Sequence, residues 1–311
     1  MGIAGKPEPR YMGGQAVLEG VMMRGASTWA VAVRTPEGEV EVVTHDVPGW
    51  SERYRAIPLL RGVMGLGESL SLGYKALAWS ANRQVPDEEQ VSDKAMGWTM
   101  AIAMVLFSGF FLVLPALAGK GLRSFVHAVP FQAAEGVLRL LIFVGYLLLI
   151  SRMRDIRRVF EYHGAEHKAI AAYENGVELT PESAQRFTTA HVRCGTNFLL
   201  TVMVVAIVTY SFVPTPNLAT IVVSRVVLIP LIAGISYEVI RISARNMQRA
   251  WVRAAMKPGL LLQRLTTREP GLDQLEVALA ALRAAMTAEQ LAEVDSRAVG
   301  SPVQAVPARP V

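Results

Sequence analysis

Gly97-Trp-Thr-Met-Ala-Ile-Ala-Met-Val-Leu-Phe-Ser-Gly-Phe-Phe-Leu-Val-Leu-Pro-Ala-Leu117 is a run of 21 residues without a charge. A helix that crosses a bilayer needs about 20 predominantly apolar residues, and Trp98 stands where such a helix would meet the headgroups. Three further segments read the same way. Val137 to Ser151 is interrupted only by Arg139, near its start. Cys194 to Ser224 contains no charged residue, and Pro214-Thr-Pro216-Asn217 breaks it. Asn197 to Val213 is therefore expected as one helix, with a tight turn after it. Leu218 to Tyr237 carries Arg225 inside it. Either Arg225 faces protein or water, or the span begins near Val226 and runs past Glu238. The expected fold class is an α-helical integral membrane protein with about four transmembrane helices, plus a small N-terminal cytoplasmic domain containing a β-hairpin.

Composition points the same way. Of 311 residues, 18% are charged and 52% hydrophobic, with a mean hydropathy of +0.32; soluble domains carry about 25% charged residues. A disordered, collagen-like or disulfide-stapled chain is excluded, since Cys194 is alone and cannot close an internal disulfide. The net charge of +5 would suggest nucleic acid in a soluble protein, but here the cations are explained by topology. Ten Lys/Arg fall in residues 1–96, seven in 152–196 and ten in 239–311, against only Lys120 and Arg123 in the loop between the first two spans and none in 214–217. Basic loops stay in the cytoplasm, so both termini and the 152–196 loop are expected there. Met1 to Arg10 leads into glycines and Glu19, without the apolar core of a secretory signal.

Residues 1–95 read as the N-terminal cytoplasmic domain. Thr28–Thr35 and Glu39–Thr44 alternate around the turn Pro36-Glu-Gly38, which is hairpin chemistry. Gly13–Gly25 reads as a possible third strand. Ile57 to Ala81 has helical apolar spacing but carries Gly62, Gly65, Gly67 and Gly73, each costing about 1 kcal/mol, so this helix is expected to lie against another helix or the bilayer. Residues 96–240 form the membrane domain. Within its 152–196 loop, Thr180-Pro181 is a helix start. Residues 241–296 read as cytoplasmic helices. Arg241, Arg245, Arg249 and Arg253 recur every four residues as a solvated or headgroup-facing stripe on one helix. Leu272, Leu275, Leu279 and Leu282 form an apolar stripe, and Thr287 with Gln290 a capping box. The tail 297–311, with three prolines, is expected to be disordered.

The chemistry concentrates in Glu161-Tyr-His-Gly-Ala-Glu-His-Lys168 and His191-Val-Arg-Cys-Gly-Thr196. His163 and His167, four apart, share one helix face and can bind one metal ion. Glu166 sits between them in the order His-x-x-Glu-His, the inverted zinc-peptidase motif, in which two histidines bind zinc and the glutamate acts on a water. His191 and Cys194 add an imidazole and a thiol, both suited to zinc. A hairpin of the intervening chain would bring the clusters together at one bilayer face. The four then make either a closed structural set or three ligands with an open, catalytic position. Glu174, Glu178 and Glu182 are alternative ligands. Glu238, at the end of the fourth span, is either paired with Arg241 or Arg245, or a metal ligand or proton acceptor. His45 and His127 read as incidental.

These motifs resemble the YqhQ-like family of uncharacterised bacterial multi-pass membrane proteins, which carry a metal-dependent label. The resemblance rests on Gly13–Gly25, Glu161–Ala169, His191–Phe198 and Ser236–Arg241, and covers residues 11–265. Val192 and Asn197 stand where the family has proline and serine. The resemblance implies a bacterial inner-membrane location and a metal site at His163, Glu166, His167, His191 and Cys194. It also draws attention to Glu19 and Arg24, which would close the site from the N-terminal domain, Arg24 steadying an anionic intermediate.

The leading expectation is a membrane-embedded zinc hydrolase at the cytoplasmic face, with Glu166 as general base. Its partners would be the bilayer and a membrane-protein segment, peptide or lipid-linked substrate, with no nucleic acid. The alternatives are a non-enzymatic scaffold with a structural metal site and a small transporter with Arg225, Glu238 and the histidines as an ion path.

Overall fold

A computed structural model describes residues 12–115, 117–118, 131–213 and 217–300. Met1 to Arg10, Lys120, Arg123, His127, the Pro214–Pro216 break and residues 301–311 lie outside the described residues.

The N-terminal part is a four-stranded antiparallel meander in the order β1-β2-β3-β4. Its strands are β1 (Gly13–Val17), β2 (Gly20–Arg24), β3 (Thr28–Arg34) and β4 (Val40–Asp46). The 28–46 hairpin matches its reading from sequence. The Gly13–Gly25 run does not: it is two strands, turning at Leu18-Glu19. Glu19 takes a left-handed φ of 52°, a conformation that usually calls for glycine or asparagine. The Arg34 amide donates to the Glu19 carbonyl at 2.8 Å, so the neighbouring strand supports the turn.

Period-2 alternation gives the sheet two different faces. Trp29, Val31 and Val33 of β3 pack with Val17 and Met22 on Leu72 and Ala76, which belong to α2 (Leu60–Asn82), the helix following the short α1 (Trp50–Arg53). On the other face Ala30 and Ala32 join Val21 and Met23 against Tyr162, Ala165, Ala169, Leu275, Ala278 and Leu282. Those side chains come from α5 (Arg154–Glu174) and α11 (Leu272–Ala284). Segments far apart in sequence thus share one core, with α2 on one side of the sheet and α5 and α11 on the other. Two of the four glycines of α2 serve close packing: a Cβ on Gly62 would lie 2.7 Å from that of Tyr237, and one on Gly73 would meet the Gln15 amide, while Gly65 and Gly67 have room for one.

The apolar part comprises α3 (Asp93–Ser108), continued by a π-helical turn over Gly109–Val113, then α4 (Phe131–Ile150), α7 (Gly195–Ser211), α8 (Leu218–Val227) and α9 (Ile229–Arg245). Among the described residues one helix, over Lys94–Phe111, is by itself long and apolar enough to cross a membrane. The α7 helix has only 17 residues. The fourth segment is broken: α8 and α9 meet at a bend of 45°, just before Pro230, which cannot donate a helical hydrogen bond. A bend of 100° separates α4 from α5. The outward faces stay apolar, with Val105, Leu141, Leu149, Val208 and Val227 all more than half exposed.

Arg225 faces protein. Its guanidinium binds Glu135 through Nε at 3.1 Å and through Nη2 and lies 3.8 Å from the centroid of the Tyr210 ring. Arg139 donates to the same carboxylate at 2.5 Å.

The remaining elements are α6 (Pro181–Gln185), α10 (Ala250–Thr266) and α12 (Ala288–Gly300). Thr180 caps α6, accepting from the Ser183 amide at 3.2 Å, and Thr287 with Gln290 forms the expected box. One expectation is corrected: the arginine stripe is not one helix face, because α9 ends at Arg245 and α10 begins after Arg249. Helix α12 runs to Gly300, and the rest of the expected tail lies outside the described residues.

Helix α5 is held tightly against the segment after α10: a Cβ on Gly164 would sit 2.0 Å from the Arg268 carbonyl oxygen. Gly164→Ala is therefore expected to destabilise the fold by about 1–3 kcal/mol, the cost of overpacking against an atom that cannot rotate away. Thermal denaturation in detergent measures this, and an unchanged melting temperature would contradict the packing.

Candidate metal centre

The centre is assembled from three directions. Helix α5 presents His163, Glu166 and His167 on adjoining turns. Cys194 is the N-cap of α7, its Sγ accepting from the Thr196 amide at 3.4 Å. The end of α10 and the loop at Thr189 supply backbone carbonyls behind the imidazoles.

His163, His167 and Cys194 bring one donor atom each within 4.8 Å of one another. Cys194 Sγ is 3.3 Å from His163 Nε2, and the two imidazole centroids are 4.5 Å apart. Tetrahedral zinc, with bonds of about 2.0–2.3 Å, needs donors roughly 3.3–3.8 Å apart. Both Nδ1 atoms are occupied: His163 donates to the Thr266 carbonyl at 2.8 Å and His167 to the Thr189 carbonyl. This fixes the tautomer that leaves each Nε2 lone pair free, the outer-shell arrangement typical of ligating histidines. The donor chemistry therefore fits a zinc ion.

Glu166 completes the group, with Oε2 3.5 Å from His167 Nε2 and 4.0 Å from His163 Nε2. Its side chain is buried beneath β1, where a Cβ on Gly14 would meet Glu166 Cγ at 2.8 Å. Burial pushes its carboxyl above the ordinary carboxylate range, outweighing the opposing electrostatic influence of the neighbouring His163, His191 and Arg193 side chains. Glu166, His167 and Cys194 are all 5% exposed or less, while the His163 side chain, at 18%, marks the open side.

His191 stands beside the cluster, not in it. Its ring centroid is 5.4 Å from that of His167, yet its Nε2 faces Glu174 at 3.9 Å, and Glu174 also binds Arg193. Gln263 on α10 clamps the His191 backbone, accepting from its N–H at 2.9 Å and donating to its carbonyl at 2.8 Å. Burial opposes ionisation of Glu174, but its hydrogen bonds and charge contacts with His191 and Arg193 outweigh this and hold its pKa below the usual carboxylate value. Glu178 and Glu182 are exposed.

Three expected site residues do not reach the centre. The alternation of β2 sends Arg24 to the α2 face, where it pairs with the fully buried Glu68 and donates to Ser51 Oγ at 3.3 Å. Glu19, on the β1–β2 turn, binds Arg158 and lies 3.5 Å from the Tyr162 hydroxyl. That hydrogen bond raises the Arg158 pKa, and burial raises that of Tyr162. Glu238 is held by Arg61, through its Nε at 2.7 Å and its Nη2 at 2.5 Å, with the Leu59 amide behind it. Its partner is thus on α2, not at Arg241 or Arg245. Gln263 and the Thr189 and Thr266 carbonyls had no signal in the sequence, because a carbonyl's role depends on backbone direction alone.

Comparison with known proteins places this arrangement among relatives. A family model described as "Protein of unknown function (DUF1385)" matches residues 57–288, a stretch that contains all three donors. "Uncharacterized protein YqhQ" of Bacillus subtilis (strain 168) is 34% identical over 311 residues, covering 94% of this chain and 97% of that protein. No solved structure matches.

Proposed function

The chain belongs to the YqhQ-like DUF1385 family, and we propose that it is a zinc-dependent hydrolase of the cytoplasmic face of a bacterial inner membrane. The observation that carries this reading is the joining of His163, His167 and Cys194, 31 residues apart at the extremes, around the buried carboxylate of Glu166. Zinc bound there would supply Lewis-acid polarisation. His163, His167 and Cys194 hold it; Thr266 and Thr189 keep the imidazoles oriented. Glu166 accepts and returns a proton, a role suited to a carboxyl whose pKa burial has raised above the ordinary carboxylate range. The closeness of β1 and the burial of His167 and Cys194 keep bulk water from the inner side, so a substrate enters beside His163. The four apolar segments, α3, α4, α7 and α8–α9, serve as spans, supported by the apolar side chains they expose and by the cation asymmetry of the loops. The substrate class is a membrane-protein segment, a peptide or a lipid-linked precursor.

A second reading, a structural zinc in a non-enzymatic scaffold, is favoured by the low exposure of the donors and by their position where four chain segments join. Glu166→Gln separates the two. In a hydrolase it retains zinc and fold but lowers turnover by about 10²–10⁴-fold, the worth of a general base. Cells carrying this variant then accumulate the same membrane peptide or lipid species as cells lacking the gene. A wild-type membrane profile in cells carrying folded, zinc-loaded Glu166→Gln protein would leave only the structural reading.

A further inference from the structure

Between Val239 and Arg268 the chain has seven cations (Arg241, Arg245, Arg249, Arg253, Lys257, Arg264 and Arg268) and no Asp or Glu. Arg245, Arg249, Arg253, Lys257 and Arg264 are exposed. Among the described residues none of these five has a carboxylate partner, and Arg253 donates only to the backbone carbonyls of Met247 and Gln248, at 3.3 and 2.9 Å. Helix α10 buries Val252, Met256, Gly259, Gln263 and Thr266 on its inner face. Arg253, Lys257 and Arg264, four and seven residues apart, therefore fall on one outer flank. Trp251, 67% exposed, and Leu261 stand out on the rest of its surface, and Ile242, 58% exposed, lies just before it on α9. The helix packs on α7 and α4.

We infer that α10 is a binding face for the phosphodiester headgroups of anionic phospholipids. Unpaired cations call for a polyanion. The exposed Leu261 next to the cation flank, with Trp251 and Ile242 exposed near the start of the helix, selects a lipid surface over a nucleic acid, since apolar side chains at such a border enter the acyl boundary while Arg and Lys meet the headgroups. The inner face of the same helix holds the metal centre: Gln263 clamps His191, and the Thr266 carbonyl orients His163. The inference rests on the membrane part of the reading above and not on its zinc.

The test is a native mass-spectrometric titration of the detergent-purified full chain with dioctanoyl phosphatidylglycerol and, separately, dioctanoyl phosphatidylcholine. The wild type is expected to bind the anionic lipid at least tenfold more tightly. Each cation at an anionic surface contributes about fivefold, so Arg253→Gln/Lys257→Gln/Arg264→Gln should weaken binding of the anionic lipid tenfold or more. Arg253→Lys/Arg264→Lys should preserve it. Equal affinity for the two lipids, or wild-type affinity in the triple glutamine variant, would overturn the inference. So would tighter binding of a labelled single-stranded oligonucleotide at physiological salt. Zinc content read on the same preparation reports separately on the metal, and the need for detergent reports on the spans.

Discussion

Purified without chelator, the protein is expected to carry close to one zinc per chain, and His163→Ala or His167→Ala to abolish it. Each variant removes an Nε2 donor whose orientation is fixed by a backbone carbonyl. Loss of an outer-shell partner alone costs about 10–100-fold in metal affinity, and loss of a ligand itself should exceed that. Cys194→Ser exchanges a soft thiolate for a hydroxyl and should weaken zinc strongly without disturbing the cap, since a serine accepts from the Thr196 amide equally well. His191→Ala is the discriminating control. Its Nε2 is directed to Glu174, so this variant should keep its zinc to within about tenfold, less than the loss of an outer-shell partner can cost. Mass-spectrometric metal analysis of the four variants decides. A metal-free but folded wild type would remove the zinc reading, and a His191 variant as empty as the His163 variant would show that the ligand set is different.

Arg24→Ala is expected to act on stability and to leave zinc in place. The Glu68 carboxylate is wholly buried between the sheet and α2, with Arg24 and the Ser51 amide, at 2.8 Å, as its partners. Breaking a buried pair costs about 3–5 kcal/mol because the remaining charge is stranded. The Arg24 side chain is 29% exposed, which moderates the loss to about 2–3 kcal/mol, a fall of several degrees in melting temperature. Replacing both partners, as Arg24→Met with Glu68→Leu, should recover most of that, since an apolar pair strands no charge. Thermal denaturation with parallel zinc analysis tests the pair. Loss of zinc at unchanged stability would return Arg24 to the metal centre.

The local parts of this architecture are legible along the chain because they depend on neighbours in sequence. The β3 strand shows its alternation in Thr28–Arg34. The Thr180 and Thr287 caps appear as short motifs, and the i, i+4 spacing of His163 and His167 becomes a shared face as soon as α5 is helical. The glycines of α2 carry their own message, since a helix with that propensity cost must gain it back in close packing. Where the reading failed, the deciding partner lay far away. The turn at Leu18-Glu19 lacks turn residues and is supported by Arg34 and Arg158. The break between α8 and α9 was hidden because Pro230 is compatible with the first turn of a new helix as well as with a kinked one.

Charged residues show the division most sharply. Sequence alone identifies Glu238 and Arg225 as charges in unusual surroundings and determines the helical segments, the hairpin and the His-x-x-Glu-His face, whereas Arg24 comes to notice only through the family resemblance. It does not select among possible counter-ions, because any cation brought near by the fold satisfies the same local pattern. Only the tertiary structure pairs Glu238 with Arg61, 177 residues away, Arg225 with Glu135, and Arg24 with Glu68. It likewise takes Cys194 into the histidine cluster and leaves His191 to Glu174. Such choices are made by packing: the small Ala30 and Ala32 on one sheet face, and Gly14 and Gly164 at the contacts of α5, let the backbones approach closely enough to set which side chains meet.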